Sequence, residues 1–459
     1  MRFELAQTIY YIVAVVTMVF MMHRYRKNWF LVLILLLAFN GPICYFIPSG
    51  AQLLRVVTAL LATGVLIQTH AFKYAMRLRM PVLLFCCLSL YFVWDALIYT
   101  GDGIFITLSQ YSKYYIPFVC WMVLNVYLRK QPTFLYTMNI FMGELILIQV
   151  LSMVLKAVLL RFSWYEGMVG FFGMPQGGGA GTAFPLVALA WVCLNSNMEI
   201  RGWKQWALVV GLLFIGIMTG KRAVVVLFPL FFILFAILVA QKKYSRSVIT
   251  ALVLAPLLFY VGIRLTPTLN PENKVWGSFD LDYALNYGSD YAMGKKDAKG
   301  KTELGTGRVG ADLLMWERIK DTDAYTPQSW FGYGVKRIFS SNDFAHYYDR
   351  DYNFGINHRG SMTGFVMWYL AFGLIGLILF LLYYWFYFQP VKYWRLRLVL
   401  YGLVMFDFFF YNAQSIRDPF IATLVVFVLF FSQLQYSPSG KFIGWTHPYF
   451  FNQLNNKKR

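Results

Sequence analysis

Two arginines and one histidine are the residues of this chain best suited to chemistry. Arg222 opens an apolar run, and Arg308 begins a short amphipathic segment. A guanidinium makes paired hydrogen bonds to phosphate and keeps its charge where the dielectric constant is low. His358 lies where a long polar segment meets another apolar run, and a neutral imidazole there could accept a proton from a hydroxyl group. The pattern predicts an anion site with a general base beside it.

Each of these residues also has a structural interpretation. Arg308 could be an exposed charge on a surface helix, and arginines at the ends of apolar runs could reach toward lipid headgroups. His358 could be a histidine at a membrane interface, hydrogen-bonded to loop backbone. Taken one at a time, the residues leave both interpretations open.

Further basic residues occur where the orientation derived below places the outer ends of apolar runs. Basic residues normally accumulate on the cytoplasmic side, so this outer group needs another explanation. As a group it is typical of an anion site, and we expect Lys221, Arg264, Arg359 and Arg417 to bind substrate. The outer group consists of Arg2, Arg55, Lys113, Lys156, Arg161, Lys221, Arg222, Arg264 and Arg417.

Other side chains are weaker candidates. The glycine-rich stretch 170–181 could approach an anion through backbone amides, although a flexible turn is the simpler interpretation. Trp316 and Tyr333 could stack on sugar rings. Three acidic residues within apolar runs could neutralise the arginines, since a buried acid needs a partner. They are Asp95, Glu144 and Asp407.

The composition is that of an integral membrane protein. Of the 459 residues, 59% are hydrophobic and only 14% are charged, and apolar runs long enough to cross a bilayer recur along the chain. The net charge of +20 is explained by membrane topology, so we do not expect nucleic-acid binding. All five cysteines lie in apolar runs, which predicts neither a disulfide framework nor a metal site.

The apolar runs predict an all-α polytopic membrane protein with about 13 transmembrane helices (12–13). Basic residues follow alternate runs, which places the N-terminus outside and the C-terminus in the cytoplasm. The long polar segment between spans 10 and 11 has nearly balanced charges, as a translocated loop can have. The predicted spans cover residues 5–22, 29–47, 51–69, 80–99, 114–128, 134–160, 181–197, 204–219, 222–240, 247–265, 361–388, 394–413 and 419–435.

This organisation predicts four parts. Residues 1–265 hold transmembrane helices 1–10, and residues 266–360 form a large loop outside the cytoplasm. Residues 361–435 hold transmembrane helices 11–13, and residues 436–459 form a cytoplasmic tail. Within the loop, the apolar spacing predicts an amphipathic helix from Arg308 to Lys320, capped by Thr306 and lying on the membrane surface.

Several motifs, in this order, resemble the O-antigen ligase and O-antigen polymerase superfamily of lipid-linked polysaccharide glycosyltransferases. The resemblance spans roughly residues 170–420 and excludes the N-terminal third. His358 is followed by Arg359 where the family has Asn, which keeps ligase and polymerase both open. The matching pieces are Gly170-Phe171 through Pro175-Gln176, Gly220-Lys221-Arg222-Ala223, Gly307-Arg308 with Trp316, Phe331-Gly332-Tyr333-Gly334, and His358 through Gly373-Leu374-Ile375-Gly376.

The resemblance implies an enzyme of the bacterial cytoplasmic (inner) membrane, with its catalytic loop facing the periplasm or exterior. We expect a metal-independent glycosyltransferase without a cofactor, in which His358, Arg222 and Arg308 are catalytic. The main expectation is a polymerase that joins polyprenyl-diphosphate-linked glycan units. A ligase that transfers the glycan to a lipid A core is the alternative within the enzyme class, and a lipid-linked oligosaccharide transporter or flippase is the alternative outside it. Expected partners are the lipid-linked glycan, a glycan or lipid acceptor, membrane lipids and a chain-length regulator.

Overall fold

Helices form almost all of the structure that the computed structural model describes, namely residues 2–47, 50–75, 79–99, 104–159, 170–172, 180–195, 203–219, 222–239, 246–293, 307–320, 326–335, 338 and 362–435. No β-strand occurs in these ranges. The all-helical class predicted from the apolar runs is thereby confirmed. A helix pairs its own backbone N–H and C=O groups, so such runs adopt it where water is absent.

The helices before the long polar segment follow the predicted spans closely. The second predicted span is divided into two helices, and a short helix joins the next two spans. In chain order they are α1 (Arg2–Tyr25), α2 (Trp29–Ala38), α3 (Asn40–Phe46), α4 (Gly50–Gln68), α5 (Ala71–Ala75), α6 (Arg79–Tyr99), α7 (Ile104–Lys130), α8 (Pro132–Leu159), α9 (Ala180–Leu194), α10 (Trp203–Met218), α11 (Arg222–Val239) and α12 (Arg246–Leu265).

The polar segment and the C-terminal part contribute the remaining helices. A 3₁₀ turn at Pro267–Leu269 opens the polar segment. The helices that follow are α13 (Leu281–Met293), α14 (Arg308–Lys320), α15 (Pro327–Phe331), α16 (Gly364–Tyr387), α17 (Trp394–Phe410), α18 (Gln414–Arg417) and α19 (Pro419–Gln435).

Length and hydropathy single out four membrane-spanning candidates among the described helices, or five if α2 and α3, bent by 59°, form one span. The four are Glu4–Tyr25, Arg79–Ile98, Phe134–Leu159 and Gly364–Tyr387, and six further apolar helices have 10–17 residues. Several apolar helices therefore indicate a membrane protein. The count of thirteen spans and the position of the loop outside the cytoplasm stay predictions.

The core of the bundle contains α9, every residue of which is buried, with α10, α11 and α19 packed against it. Outer helices expose apolar side chains instead. On α4, Leu53 is 65% and Leu60 is 67% exposed. Apolar surface of this kind is what lipid tails cover in a membrane protein.

Helix α16 breaks at Gly373, where φ is 66° and ψ is −167°. The break frees two carbonyls, and the segment after α15 bonds to them: Tyr333 N donates to Leu370 O at 2.6 Å and Gly334 N to Ala371 O at 3.1 Å. Gly332, with φ 86° and ψ 178°, lies against the same backbone. We call the packing of Gly332 against Gly373 the glycine contact. It attaches part of the polar segment to a membrane-spanning candidate.

Helix α6 completes this attachment. Tyr91 Oη donates to Phe331 O at 3.0 Å and to Phe372 O at 2.8 Å, so it bridges α15 and α16. One turn further along α6, Asp95 accepts a hydrogen bond from Val335 N at 3.0 Å. The polar segment is therefore held by two separate helices of the bundle.

The helix predicted from Arg308 to Lys320 is confirmed as α14. Its buried side carries Ala311 and Met315, whereas Leu313 and Trp316 of the predicted apolar stripe are 46% and 49% exposed. The predicted cap, Thr306, lies outside the described residues. Contact of the exposed stripe with a membrane surface stays a prediction.

Candidate functional site

Arg222 is the first residue of α11, and its guanidinium is enclosed by groups from the polar segment. Nε donates to Thr268 Oγ1 at 2.8 Å. The guanidinium carbon lies 4.5 Å from the centre of the Tyr287 ring and 4.2 Å from that of Tyr291. Aromatic faces attract cations, so these rings hold the guanidinium in one place.

The two tyrosines belong to a ladder along α13. Tyr283, Tyr287 and Tyr291 are four residues apart, and successive rings are stacked at 6.1 Å and 6.4 Å with planes 16° apart. Side chains at this spacing share one helix face. Asp280 precedes the helix and caps its start, since its Oδ1 accepts a hydrogen bond from Tyr283 N at 2.9 Å. The face of α13 that carries tyrosine is therefore turned toward Arg222.

Arg308 begins α14, directly after Gly307, whose φ is 67°. Its guanidinium carbon lies 4.6 Å from the centre of the Tyr411 ring, next to the end of α17. One turn later, Asp312 Oδ1 accepts a hydrogen bond from Thr363 Oγ1. Thr363 in turn caps α16 by accepting from Val366 N at 3.2 Å. The start of α14 is thus fixed against both α16 and α17.

Burial raises the pKa of Asp312 to about 7, although the hydrogen bond from Thr363 and the charge of Arg308 both lower it. Desolvation disfavours the charged carboxylate, and here that cost exceeds the two favourable interactions. Near neutral pH this carboxyl therefore exists in both protonation states.

Arg222 and Arg308 line one cavity of about 400 Å³. We call it the arginine cavity. Its walls are mostly apolar or aromatic, with the two guanidinium groups as its charged members. The remaining lining residues are Ala223, Val226, Leu269, Ala284, Leu285, Gly288, Ser289, Tyr291, Ala292, Val309, Phe406, Phe410 and Tyr411.

The geometry leaves hydrogen-bonding capacity at Arg222. Its Nη1 is buried and has no hydrogen-bond partner among the described residues. A buried donor without a partner is costly, which is typical of a group that a ligand completes. The aromatic rings contact the guanidinium while its N–H groups point outward in its plane, so a phosphate oxygen could accept from them.

Arg264, expected from the sequence to bind substrate, instead holds the start of the polar segment. Its Nε donates to Gly277 O at 2.8 Å and its Nη1 to Tyr260 Oη at 3.0 Å. The Trp276 ring lies 4.4 Å from its guanidinium carbon. Arg264 is absent from the lining of the arginine cavity.

Arg417 lines a second cavity, of about 210 Å³, together with Arg55 and Lys113. We call it the three-cation cavity. Arg417 Nη1 donates to Met367 Sδ at 2.9 Å and to Asn412 O at 3.4 Å. The two cavities have no lining residue in common. The structure thus separates Arg417 from Arg222 and Arg308, which the sequence analysis had grouped.

The two aromatic candidates also lie away from the arginine cavity. Trp316 is half exposed, with Lys320 Nζ 5.6 Å from its ring. Tyr333 belongs to the segment attached to α16 and packs against the core. Neither side chain is among the residues that line the cavity.

Three candidates cannot be placed in this geometry. His358, Arg359 and Lys221 lie outside the described residues, as does most of the glycine-rich stretch 170–181. Of that stretch, Gly170 lies against Gln149 and Ser152, and Phe171 and Phe172 are buried. Close packing therefore accounts for this first part.

The three acids within apolar runs accept hydrogen bonds from groups other than the outer arginines. Glu144 pairs with Arg24 at 3.0 Å and accepts from Tyr25 Oη at 2.7 Å. Asp95 accepts from the backbone after α15, and Asp407 accepts from Ser415 N and Oγ at 2.6 Å and 2.7 Å. Both Arg308 and Arg417 also act electrostatically on Asp407. Asp407 thus interacts electrostatically with one arginine from each cavity.

The sequence analysis missed the aromatic residues that hold the arginines, namely Tyr287, Tyr291 and Tyr411, and it missed helix α13. The spacing of four residues between Tyr283, Tyr287 and Tyr291 was a signal for a helix with an aromatic face. No comparable local signal pointed to Tyr411, which reaches Arg308 only through the packing of α14 on α17.

Comparison with known proteins does not assign the chain to a family. No protein family matches the chain, and no curated protein is significantly similar to it.

Proposed function

We propose that this protein is a membrane glycosyltransferase that polymerises glycan units carried on a polyprenyl diphosphate, at the outer face of the bacterial cytoplasmic membrane. One observation carries the proposal. Arg222 and Arg308, chosen from the sequence for diphosphate binding, come from different parts of the chain and line the same cavity. The motif resemblance described above supplies the reaction class.

The chemistry requires positive charge at the leaving group. An acceptor sugar hydroxyl attacks the anomeric carbon of the donor, and a new carbon–oxygen bond forms. The bond from that carbon to the diphosphate oxygen breaks, and the diphosphate departs with the bonding electrons. Fixed guanidinium groups stabilise this developing negative charge in a site of low dielectric constant. In the proposal, Arg222 and Arg308 do so, and His358 takes the hydroxyl proton.

The mixed lining of the arginine cavity fits such a donor. Val226, Leu285 and Phe406 offer apolar contact for the first part of a polyprenyl chain. Tyr291 and Tyr411 present aromatic surface beside the arginines, and aromatic surface is suited to sugar rings as well as to cations.

The test uses a strain that lacks the gene, complemented with variants of the full chain. We expect Arg222→Gln and Arg308→Gln each to lower polymer formation by about 10²-fold or more, since removing one fixed donor has an effect of that size. Arg308→Lys keeps the charge but loses the paired hydrogen bonds, so we expect partial activity at most. The measurement is the length distribution of the surface glycan, with the amount of protein in the membrane determined in parallel.

Lys274→Gln is the matched control. Lys274 is an exposed cation of the same polar segment, paired with Glu272 at 3.0 Å, and its loss should leave the glycan unchanged. A single repeat on the lipid anchor in the deletion strain supports a polymerase. Free lipid-linked polymer with bare anchors would assign a ligase instead. Normal glycan in the Arg222→Gln and Arg308→Gln strains would overturn the proposal.

A further inference from the structure

We propose that the three-cation cavity is a second anion site, which binds the phosphate-bearing headgroup of a lipid between Arg55, Lys113 and Arg417. The inference does not depend on the glycosyltransferase proposal. It rests on the charge, size and surroundings of a cavity that shares no lining residue with the arginine cavity.

The first argument is the balance of charge. Arg55 from α4, Lys113 from α7 and Arg417 from α18 face one carboxylate in the lining, that of Asp418. Asp418 acts electrostatically on Arg55 and Lys113, but its Oδ1 also accepts the N–H groups of Phe420 and Ile421 at 3.0 Å each. Asp418 therefore serves as the cap of α19, and Asp407, outside the lining, also acts electrostatically on Arg417. Among the described residues, three cations thus face two carboxylates, which leaves an excess of positive charge.

The second argument is that three helices bring these cations together. Arg55 Nη1 donates to Ser109 Oγ at 2.9 Å, which ties α4 to α7 beside the cavity. Lys113 Nζ donates to Gln110 Oε1 at 2.7 Å, and Lys113 is only 8% exposed. Gathering cations in a poorly hydrated place is unfavourable unless an anion joins them. A phosphate group supplies that anion and accepts several hydrogen bonds at once.

The third argument is size and shape. Liquid water occupies roughly 30 Å³ per molecule, so a cavity of about 210 Å³ has room for one phosphate or diphosphate group. Polar lining residues, Asn40, Thr58 and Gln414, add hydrogen-bonding groups between the cations.

The fourth argument favours a lipid over a free anion. Leu36, Leu37 and Leu54 belong to the apolar part of the cavity wall. Leu54 belongs to α4, whose neighbouring residues Leu53 and Val57 are exposed apolar surface. A headgroup among the cations would therefore have its hydrocarbon chain beside a surface suited to lipid tails.

The experiment measures binding to the purified full chain in detergent by native mass spectrometry. The probes are farnesyl diphosphate, farnesyl monophosphate, farnesol and inorganic pyrophosphate. Arg222→Gln/Arg308→Gln is the starting variant, because it removes the charges of the arginine cavity. We expect one farnesyl diphosphate to remain bound. Adding Arg55→Gln and Lys113→Gln should weaken that binding by at least about tenfold, the effect of losing a charge-assisted hydrogen bond.

Two further variants separate a site from general effects of charge or folding. Arg55→Lys/Lys113→Arg keeps both charges and should retain most of the binding. Lys156→Gln removes another buried cation, which lies 5.6 Å from the Tyr10 ring and outside both cavities, and it should leave binding unchanged. If Arg55→Gln/Lys113→Gln does not yield monodisperse protein, Lys113→Gln alone serves the comparison.

The probes decide the nature of the ligand. Binding of farnesyl diphosphate or monophosphate but not of farnesol or pyrophosphate supports a lipid headgroup. Equal binding of pyrophosphate that depends on Arg55 and Lys113 would support the anion site but overturn its assignment to a lipid. Unchanged binding after loss of Arg55 and Lys113 would overturn the site altogether. Because the starting variant lacks the catalytic arginines, failure of the glycosyltransferase proposal would leave this result unaffected.

Discussion

The setting of Arg222 shows how a half-buried cation can be held by described groups other than a carboxylate. Tyr287 and Tyr291 contact the guanidinium, and Thr268 accepts from Nε. An ion pair with a carboxylate would have neutralised the charge and left less of it for a ligand. Aromatic rings position the cation and leave its charge uncompensated. Arg308 likewise contacts one ring, that of Tyr411, but its charge also acts on the carboxyls of Asp312 and Asp407.

Arg222 and Arg264 show how far the sequence could predict which arginines share a site. In sequence, Arg222 and Arg264 both lie at an end of an apolar run. In the structure, Arg264 donates to the backbone at Gly277, whereas Arg222 lines a cavity. Residue type and position along a helix predicted that these cations do not face the cytoplasm. Their partners come from distant segments, which spacing along the chain does not encode.

The carboxyl of Asp312 predicts a dependence of stability on pH. Its pKa in the folded protein, about 7, lies above its ordinary value of 3.8. Between these values the folded state binds more protons than the unfolded state, so the free energy of unfolding should fall as pH rises from about 4 to 7. Asp312→Asn keeps an acceptor for Thr363 and removes this titration. We therefore expect the variant to melt at a higher temperature than the wild type at pH 8 and with less change between pH 5 and 8.

The measurement is thermal unfolding of the purified protein at both pH values. Glu317→Gln, which removes an exposed carboxylate from the same helix, is the control and should behave like the wild type. Identical pH dependence in the wild type and Asp312→Asn would contradict the role given to burial of this carboxyl.

Helices α15 and α16 depend on each other through the glycine contact. Both glycines adopt a backbone conformation, with positive φ and ψ near 180°, that is essentially confined to glycine. A Cβ at Gly332 would lie 2.3 Å from Ala371 O, and one at Gly373 would lie 2.3 Å from the Trp330 carbonyl carbon. The sequence identified both glycines within motifs. It did not reveal that the two motifs touch, because the contact requires a break in α16 that a continuous apolar run conceals.

We expect Gly332→Ala and Gly373→Ala each to destabilise the protein, by about 1–3 kcal/mol from backbone strain alone and more from steric overlap. The measurement is the midpoint of thermal unfolding in detergent, which should fall by several degrees. Gly402→Ala is the control, since Gly402 lies in α17 with open space around its Cβ position. Alanine favours a helix there, so that variant should be neutral or slightly more stable. Equal midpoints for all three variants would contradict the constraint.

The helices as a group were largely predictable. Each predicted span falls on a helix, because long apolar runs have no other way to satisfy their backbone in lipid. The break between α2 and α3, at Phe39 and Asn40, was not predicted. Helix α13 was missed because its polar residues conceal a repeat of tyrosines. Helix packing decides which cations line which of the two cavities. The apolar runs of the sequence could not predict that distribution.

The predicted orientation of the whole molecule has a direct test. Lys274 is exposed in the polar segment, and Gln131 is exposed between α7 and α8. In a variant without the five native cysteines, a cysteine replacing Lys274 should react with a membrane-impermeant maleimide in spheroplasts. A cysteine replacing Gln131 should react only after lysis. The reverse pattern would place both cavities on the cytoplasmic side and remove the basis for a reaction at the outer face.

The glycine contact also constrains the order of synthesis. Residues 326–335 leave the ribosome before α16, yet the carbonyl groups they bond to belong to Leu370 and Ala371. Tyr91 and Asp95 of α6, their other partners, are already inserted by then. Residues 326–335 can therefore first contact α6. They acquire their final position only when α16 has entered the membrane. Premature termination before α16 would leave this part of the protein without its attachment and exposed to proteolysis.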